Sequence, residues 1–323
     1  MAAIKVGVLV GPTAVGKTAV ALDLAEALGA EIVNADSMQV FRELDIGTAK
    51  PTPQELARVR HHLVDVADPH EPYDAARYAR EARAVIAEVH RRGTPPLVVG
   101  GTGLYIKALL GGLFRQEKAV HQVRLRLARE LAAQGLPALF TRLVALDPAT
   151  AQRLAPSDTY RILRALEVVE ATGRSLSDLH AAHNFQDRPY LTLKLGLDIP
   201  REELYRRIED RVDLMVAQGW LEEVQHVLKR YPPGIKPLQA LGYRHLVAFF
   251  ENRLTLPEAL DLIKKDTRRY AKRQLTWFRA DPEIRWFHPG QGQDLLALLS
   301  AFFSDQTRKT GSADLEPGPS PER

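Results

Sequence analysis

Eight residues near the start of the chain, Gly11-Pro12-Thr13-Ala14-Val15-Gly16-Lys17-Thr18, spell G-x-x-x-x-G-K-[ST], the spacing of a loop that holds a diphosphate. Gly11 and Gly16 let successive backbone N–H groups converge on phosphate oxygens, and a helix opening behind the loop adds its positive pole. Lys17 can neutralise the outer oxygens, and Thr18 can offer its hydroxyl to Mg²⁺. A hydrolase built on such a loop carries a second strand ending in a metal-binding Asp. The best candidate strand here, Leu97-Val98-Val99, runs instead into Gly100-Gly101-Thr102-Gly103. Asn-Lys-x-Asp, the guanine signature, is missing too, since Thr48-Ala49-Lys50-Pro51 lacks the acid. The loop predicts diphosphate binding without predicting hydrolysis.

An acid does follow another strand. Ile32-Val33-Asn34-Ala35 leads straight into Asp36, and the carboxyl ends of parallel strands form the ligand crevice. A carboxylate there can take a proton from an acceptor substrate; the alternative is an Asp that caps a turn. Gly100–Gly103 ends a third strand, where missing side chains would let a flat group lie against backbone, or simply form a strand-to-helix turn. His61-His62 has no metal spacing and reads as structural. From Lys264 to Arg279 there are seven Lys/Arg against one Asp, so a chain of net charge +4 concentrates its positive charge in one segment. Such a stripe suits a polyanion, although charge runs on helices are often only solvated faces.

The elements that would position these groups follow from periodicity. Ile4–Val10, Glu31–Asn34, Pro95–Gly100 and Leu191–Asp198 read as strands, and Thr18–Leu28, Asp74–Arg92 and Arg201–Gln218 as helices between them. That alternation implies a parallel sheet. Between Arg115 and Pro189 the stretches Val123–Ala133, Ala138–Leu146, Ala149–Leu154, Tyr160–Ala171 and Ser175–Ala182 are all helix-like. The expected class is α/β: a P-loop parallel-sheet core, residues 1–114 and 190–304, with an inserted all-helical domain at 115–189. Further helices are expected at Tyr243–Phe250, Pro257–Ala280 and Asp294–Ser304, and residues 305–323 as a disordered tail. The 323 residues, 45% hydrophobic and 26% charged, are ample for a core, and none is cysteine. That excludes disulfides, thiolate zinc sites and a cysteine nucleophile. With no apolar run of about 18 residues and no signal peptide, we expect a cytoplasmic chain, acting as a monomer and without membrane partners.

Beyond the phosphate loop, Ala35-Asp36-Ser37-Met38-Gln39-Val40-Phe41-Arg42, Asp45-Ile46-Gly47-Thr48-Ala49-Lys50-Pro51, His61-His62-Leu63-Val64-Asp65, Gly100-Gly101-Thr102-Gly103-Leu104-Tyr105, Tyr160–Val168, Ala240-Leu241-Gly242-Tyr243-Arg244 and Thr267–Arg279 follow in order. Together, over residues 4–285, the set closely resembles the tRNA dimethylallyltransferase family. Departures are small: Phe41 where Tyr is common, Val15 where Ser is frequent, and Pro156-Ser157-Asp158 for a more usual Pro-Asn-Asp. Without cysteine the chain resembles the bacterial form, which lacks the zinc finger of many eukaryotic relatives.

The resemblance implies transfer of a dimethylallyl group from its diphosphate to N6 of adenosine 37, beside the tRNA anticodon, with Mg²⁺ as cofactor. It implies that Lys17, the loop amides and Thr18-bound Mg²⁺ stabilise the leaving diphosphate, assisted by Arg211, for which a surface ion pair is an equal alternative. Asp36 would be the base, with Gln39 and Thr102 reading adenine. The base must be flipped out of its stack to be reached. On the same grounds, tRNA contacts are expected at Asp36, Ser37, Met38, Gln39, Thr102, Arg124, Tyr160, Arg161, Arg164, Gly242, Tyr243 and Arg244. Arg268, Arg269, Lys272 and Arg273, at i, i+4 spacing, would track phosphates, whereas Tyr270, Trp277 and Phe278 are expected to face the core. Two other readings remain: a small-molecule or nucleoside kinase, which shares the loop and the Asp, and a nucleotide-gated RNA-binding protein.

Overall fold

The structure, a computed structural model, describes residues 3–112, 120–183 and 187–304. Ile4–Val10 (β1) is apolar and buried almost throughout, which is how a strand covered on both faces reads. It opens into the phosphate loop and Lys17–Leu28 (α1), closed by left-handed Gly29. Glu31–Asn34 (β2), Pro53–Arg58 (α2), His61–His62 (β3), Ala75–Arg91 (α3), Pro96–Gly100 (β4) and Gly103–Gly111 (α4) follow. Asp74 caps α3 by accepting from the N–H groups of Ala76 and Arg77, as its residue type favours.

After the insert the chain returns through Tyr190–Leu197, here β5, which pairs with β1 along its whole length, from Ile4 opposite Tyr190 to Val10 opposite Gly196. The remaining elements of the core unit are helices at Arg201–Ala217, Trp220–Arg230, Tyr243–Phe250, Leu256–Arg279 and Gly292–Ser304, with a short strand, Arg285–Phe287 (β6), before the last. The sheet is parallel throughout, in the order β3-β2-β4-β1-β5-β6. Parallel register puts Gly11, Asp36, Gly101 and Asp198 beyond the carboxyl ends of four neighbouring strands, on one edge. Leu9, Leu22, Ile32, Leu97, Leu195, Ile208, Leu295 and Leu299 fill the core behind that edge, and their burial anchors the loops that carry the chemistry.

The insert contains Val120–Leu146 (α5), Pro148–Ala151 (α6), Thr159–Thr172 (α7) and Leu176–His183 (α8), so the five helices after the insert are α9 to α13 in chain order. Within α5 the helix is interrupted at Gly135 (φ 77°, ψ 166°), just before Pro137, matching the break expected there. Its own core is Leu127, Leu139, Leu143, Ile162, Ala165 and Leu166. By packing the chain divides into residues 1–109 with 189–323, and residues 110–188. The expected junction at 114–115 and the expected tail, 305–323, lie outside the described residues.

Beyond the expected elements the chain forms two short edge strands, β3 and β6, and the helices α2, α4 and α10. His61 and His62 form β3, where His62 Nε2 lies 2.6 Å from the Glu31 carboxylate. No group of three metal-binding side chains exists among the described residues.

Candidate active site

The phosphate loop is bent by left-handed Gly16 (φ 102°), by Ala14 (φ 64°) and by Gly11 (φ 152°). Gly16 caps α1 without a side-chain hydrogen bond, leaving first-turn amides of α1 to a ligand. Lys17 folds back, its Nζ donating to the carbonyls of Gly11 (2.9 Å) and Pro12 (2.7 Å). Burial pushes its pKa down to about 7, with Arg211 reinforcing and Asp36 opposing the shift. Thr18 is exposed on the first turn of α1 and lines the cleft. Val15 is fully buried and packs in the core.

That cleft, of about 820 Å³, is lined by Thr13, Gly16, Lys17 and Thr18 on one side, by Asp36, Gln39 and the 45–53 loop on another, and by Arg207, Arg211, Met215, Tyr270 and Gln274 from α9 and α12. Asp36 Oδ1 accepts from the N–H groups of Met38 (2.8 Å) and Gln39 (3.3 Å), so the turn-capping alternative and the cleft position hold together in one residue. Thr102 Oγ1 accepts from the Ser37 N–H at 3.0 Å. Tyr270 comes up beside them, its phenol held above the usual range by burial and by the charge of Asp36. Arg211, burial lowering its pKa and Asp36 raising it, is a cleft residue and not a surface ion pair.

Three connections escaped the sequence. Gln274 accepts from the Thr13 N–H and donates to the Gly101 carbonyl, both at 2.9 Å. Arg207 donates to the Val15 carbonyl at 3.3 Å. Glu223 of α10 accepts from the N–H groups of Asp45 (2.7 Å), Ile46 (2.6 Å) and Gly47 (3.1 Å), pinning the loop that walls the cleft. Each is a polar residue on an amphipathic helix whose partner lies more than 170 residues away; no local signal marks it.

The IPP transferase family model matches residues 39–281. The tRNA dimethylallyltransferase of Syntrophobacter fumaroxidans is 54% identical over 290 residues, covering 90% of this chain and 85% of its own. The chain belongs to the tRNA dimethylallyltransferase family. The tRNA isopentenylpyrophosphate transferase of Bacillus halodurans superposes with a TM-score of 0.71 at 35% identity, over 95% of this chain and 99% of that one. A eukaryotic dimethylallyltransferase, solved acting on tRNA, gives 0.80 at 29% identity over 94% and 80%.

Several residues expected to meet tRNA in a dimethylallyltransferase have other work here. Tyr243 is 1% exposed, and its hydroxyl donates to Glu223 at 2.7 Å; it braces the 45–47 loop. Gly242 (φ 88°) lies against Trp220, whose ring would sit 2.6 Å from an added Cβ. Arg244 pairs with Asp266 at 2.6 Å. Gln39 donates its amide to the carbonyls of Thr48 (3.1 Å) and Ala49 (2.9 Å), so only its Oε1 is left to address a base. The glycines of 100–103 admit the protein's own groups, and Gly101 also lines the cleft. An added Cβ would lie 2.2 Å from Ala35 O at Gly100, 2.3 Å from Gln274 Nε2 at Gly101 and 2.2 Å from Trp277 Nε1 at Gly103.

The basic stripe of α12 is divided. Arg268 pairs with Glu209 and Arg269 with Asp266, while Lys272 and Arg273 are exposed, Arg273 lying over the Tyr270 ring. Of the three aromatics expected to face the core, Phe278 does. Tyr270 lines the cleft, and Trp277 is 47% exposed with its ring against Gly103, because α12 carries these positions on its outward side rather than on the side that packs in the core. In the insert, Arg124 and Arg164 both bond the buried Glu167, the Arg124 side chain staying largely exposed. Burial opposes ionisation of Glu167, but the two guanidinium groups outweigh it and hold its pKa low. Tyr160 and Arg161, at the start of α7, remain exposed, Arg161 3.4 Å from Asp158.

Proposed function

We propose that the chain transfers a dimethylallyl group from dimethylallyl diphosphate to N6 of adenosine 37 of tRNA and releases diphosphate. The observation that carries this reading is that a diphosphate loop and the Asp36 carboxylate face one cleft. In the reaction the allylic C1–O bond breaks as the C1–N6 bond forms, the electron pair leaves with the diphosphate, and the N6 proton passes to Asp36. An exocyclic amine is a weak nucleophile because its lone pair is delocalised into the ring, so loss of that proton must accompany bond formation. The Met38 and Gln39 amides fix Asp36 Oδ1, leaving Oδ2 to meet the amine. Lys17, released from the Gly11 and Pro12 carbonyls, and Arg211 neutralise charge on the departing diphosphate. Tyr270 lines the cleft beside the acceptor, and Thr102 holds the Ser37 N–H next to Asp36.

Thr18 fits Mg²⁺: it is exposed on the first turn of α1 and lines the cleft, and a Mg²⁺ held by one hydroxyl, substrate phosphates and water needs no cage of carboxylates. Bound there, the ion would supply Lewis-acid stabilisation of the leaving group. Exposed Lys272, Arg273, Tyr160 and Arg161 supply cation and ring contacts to RNA. We place the reaction in the cytoplasm, on a monomer. No described helix is long and apolar enough to cross a membrane.

The test is an incubation with Mg²⁺ and unmodified tRNA, with dimethylallyl diphosphate or ATP as donor, followed by nuclease digestion and mass analysis of nucleosides. Prenylated adenosine formed only from dimethylallyl diphosphate, and lost in Asp36→Asn with tRNA binding intact, is the expected result. ADP formed from ATP with no modified nucleoside would move the assignment to a kinase.

A further inference from the structure

Gln274 stands apart from its neighbours on α12. In a helix rich in cations it is neutral, 6% exposed, and spends its amide on two loops that approach from opposite sides. Its Oε1 takes the Thr13 N–H of the phosphate loop, and its Nε2 donates to the carbonyl of Gly101. Gly101 leads into Thr102, whose N–H donates to Ala35 O and whose hydroxyl accepts from Ser37. A continuous series of hydrogen bonds thus joins the loop that holds the leaving group to the turn that holds Asp36, and Gln274 is its central member. Gly101 has no side chain at the point where the amide passes, 2.3 Å from an ideal Cβ. One residue back, Arg273 is exposed, as is Lys272 two residues back.

We infer that Gln274 is a positioning residue that sets the separation and orientation of the donor half of the site relative to its acceptor half. It touches neither diphosphate nor adenine in this role. Its amide fixes the Thr13 peptide, hence the direction of the following loop amides, against the Gly101–Thr102 peptide, hence the Ser37 and Asp36 backbone. The geometry matters because the allylic carbon and N6 must meet in line. A misplacement of about 1 Å costs on the order of 100-fold in rate while both substrates still bind. The α12 face carrying Lys272 and Arg273 is rigidly joined to this amide, so a phosphate backbone seated on α12 bears on both half-sites through one side chain.

This inference rests on the prenyl-transfer reading, so the wild-type enzyme is measured first with unmodified tRNA and dimethylallyl diphosphate. Inactivity there overturns that reading and leaves nothing for Gln274 to position. With an active wild type, Gln274→Ala is expected to lower kcat about 100-fold. KM for both substrates and the melting temperature should stay close to wild type. A kcat within about twofold of wild type would overturn the inference. Gln274→Glu serves if the alanine variant does not fold. A carboxylate cannot donate to Gly101 O, but a protonated carboxyl accepts from Thr13 and donates to Gly101 as the amide does. The ratio of Gln274→Glu to wild-type kcat should therefore rise as pH falls from about 8 to about 6, burial raising the carboxyl's pKa. The ionisable groups lining the cleft, Lys17, Asp36, Asp45, Lys50, Glu55, Asp65, Arg207, Arg211 and Tyr270, are present in both proteins, so the ratio reports what the new carboxyl at 274 adds. A ratio flat with pH would also overturn the inference.

Discussion

Binding of dimethylallyl diphosphate should draw a proton onto Lys17. In the unliganded site its ammonium is stripped of water, faces the Arg211 guanidinium, and has a pKa of about 7. At pH 8 such a group is about nine-tenths neutral. A diphosphate seated in the loop puts negative charge within a few ångströms, which returns the pKa above the working pH. Net uptake at pH 8 is therefore about 0.9 proton per molecule bound, falling to about 0.5 at pH 7. The assay is titration calorimetry without tRNA in three buffers of differing ionisation enthalpy; the slope of observed heat against that enthalpy counts the protons. Lys17→Met should abolish the slope. A wild-type uptake below about 0.2 at pH 8 would refute the reasoning, as would an equal slope in Lys17→Met. The same shift links to folding. Because the native pKa lies below the unfolded one, the unfolded chain holds more protons between about pH 7 and 10.5, and stability from this group rises with pH across that window.

Three further outcomes follow from the packing. Gly100→Ala would drive a methyl against the backbone of Ala35, 2.2 Å from its oxygen; we expect a loss of about 2–3 kcal/mol, seen as a melting temperature lower by roughly 5–10 °C. Glu167→Ala leaves Arg124 and Arg164 without their shared acid. Urea melts should show a loss of about 2 kcal/mol, less than for a fully buried pair because the Arg124 side chain can return to water. In the wild type that contribution is present above the carboxylate range and is lost as pH falls through the lowered pKa of Glu167. Lys272→Ala with Arg273→Ala should flatten the log–log salt dependence of tRNA binding by about 1.5–2 with the melting temperature unchanged, whereas Arg268→Ala, which breaks the pair with Glu209, should act on stability instead.

What the sequence discloses depends on how far a residue's partner lies along the chain. The phosphate loop, α1 and its Gly29 cap, and Asp36 at a strand end are legible because their determinants sit within a few residues of one another. Arg164 could have been read better: a glutamate three residues on, on the apolar face of α7, is a local sign that the arginine serves a buried acid. Gln274 and Glu223 offered no such sign, since a polar residue on an amphipathic helix looks solvated until the fold brings a backbone amide to it. Tyr243 misled for the converse reason, because its hydroxyl resembles a recognition group and is instead the fourth donor on Glu223.

The pairing of β1 with β5 has a bearing on how the protein is made. The central strand is complete after residue 10, yet its partner on one side begins at Tyr190, and the phosphate loop gains its Gln274 bond only after a further 261 residues. At roughly 5–20 residues per second a ribosome takes on the order of tens of seconds to cover that distance. Until β5 has been made the nascent chain carries an apolar strand edge with no neighbour on that flank, and for the whole interval a diphosphate loop without its brace. The insert folds around contacts of its own in the interval, and a translational stall upstream of α12 would leave a nascent protein with its binding loop formed in sequence but not in geometry.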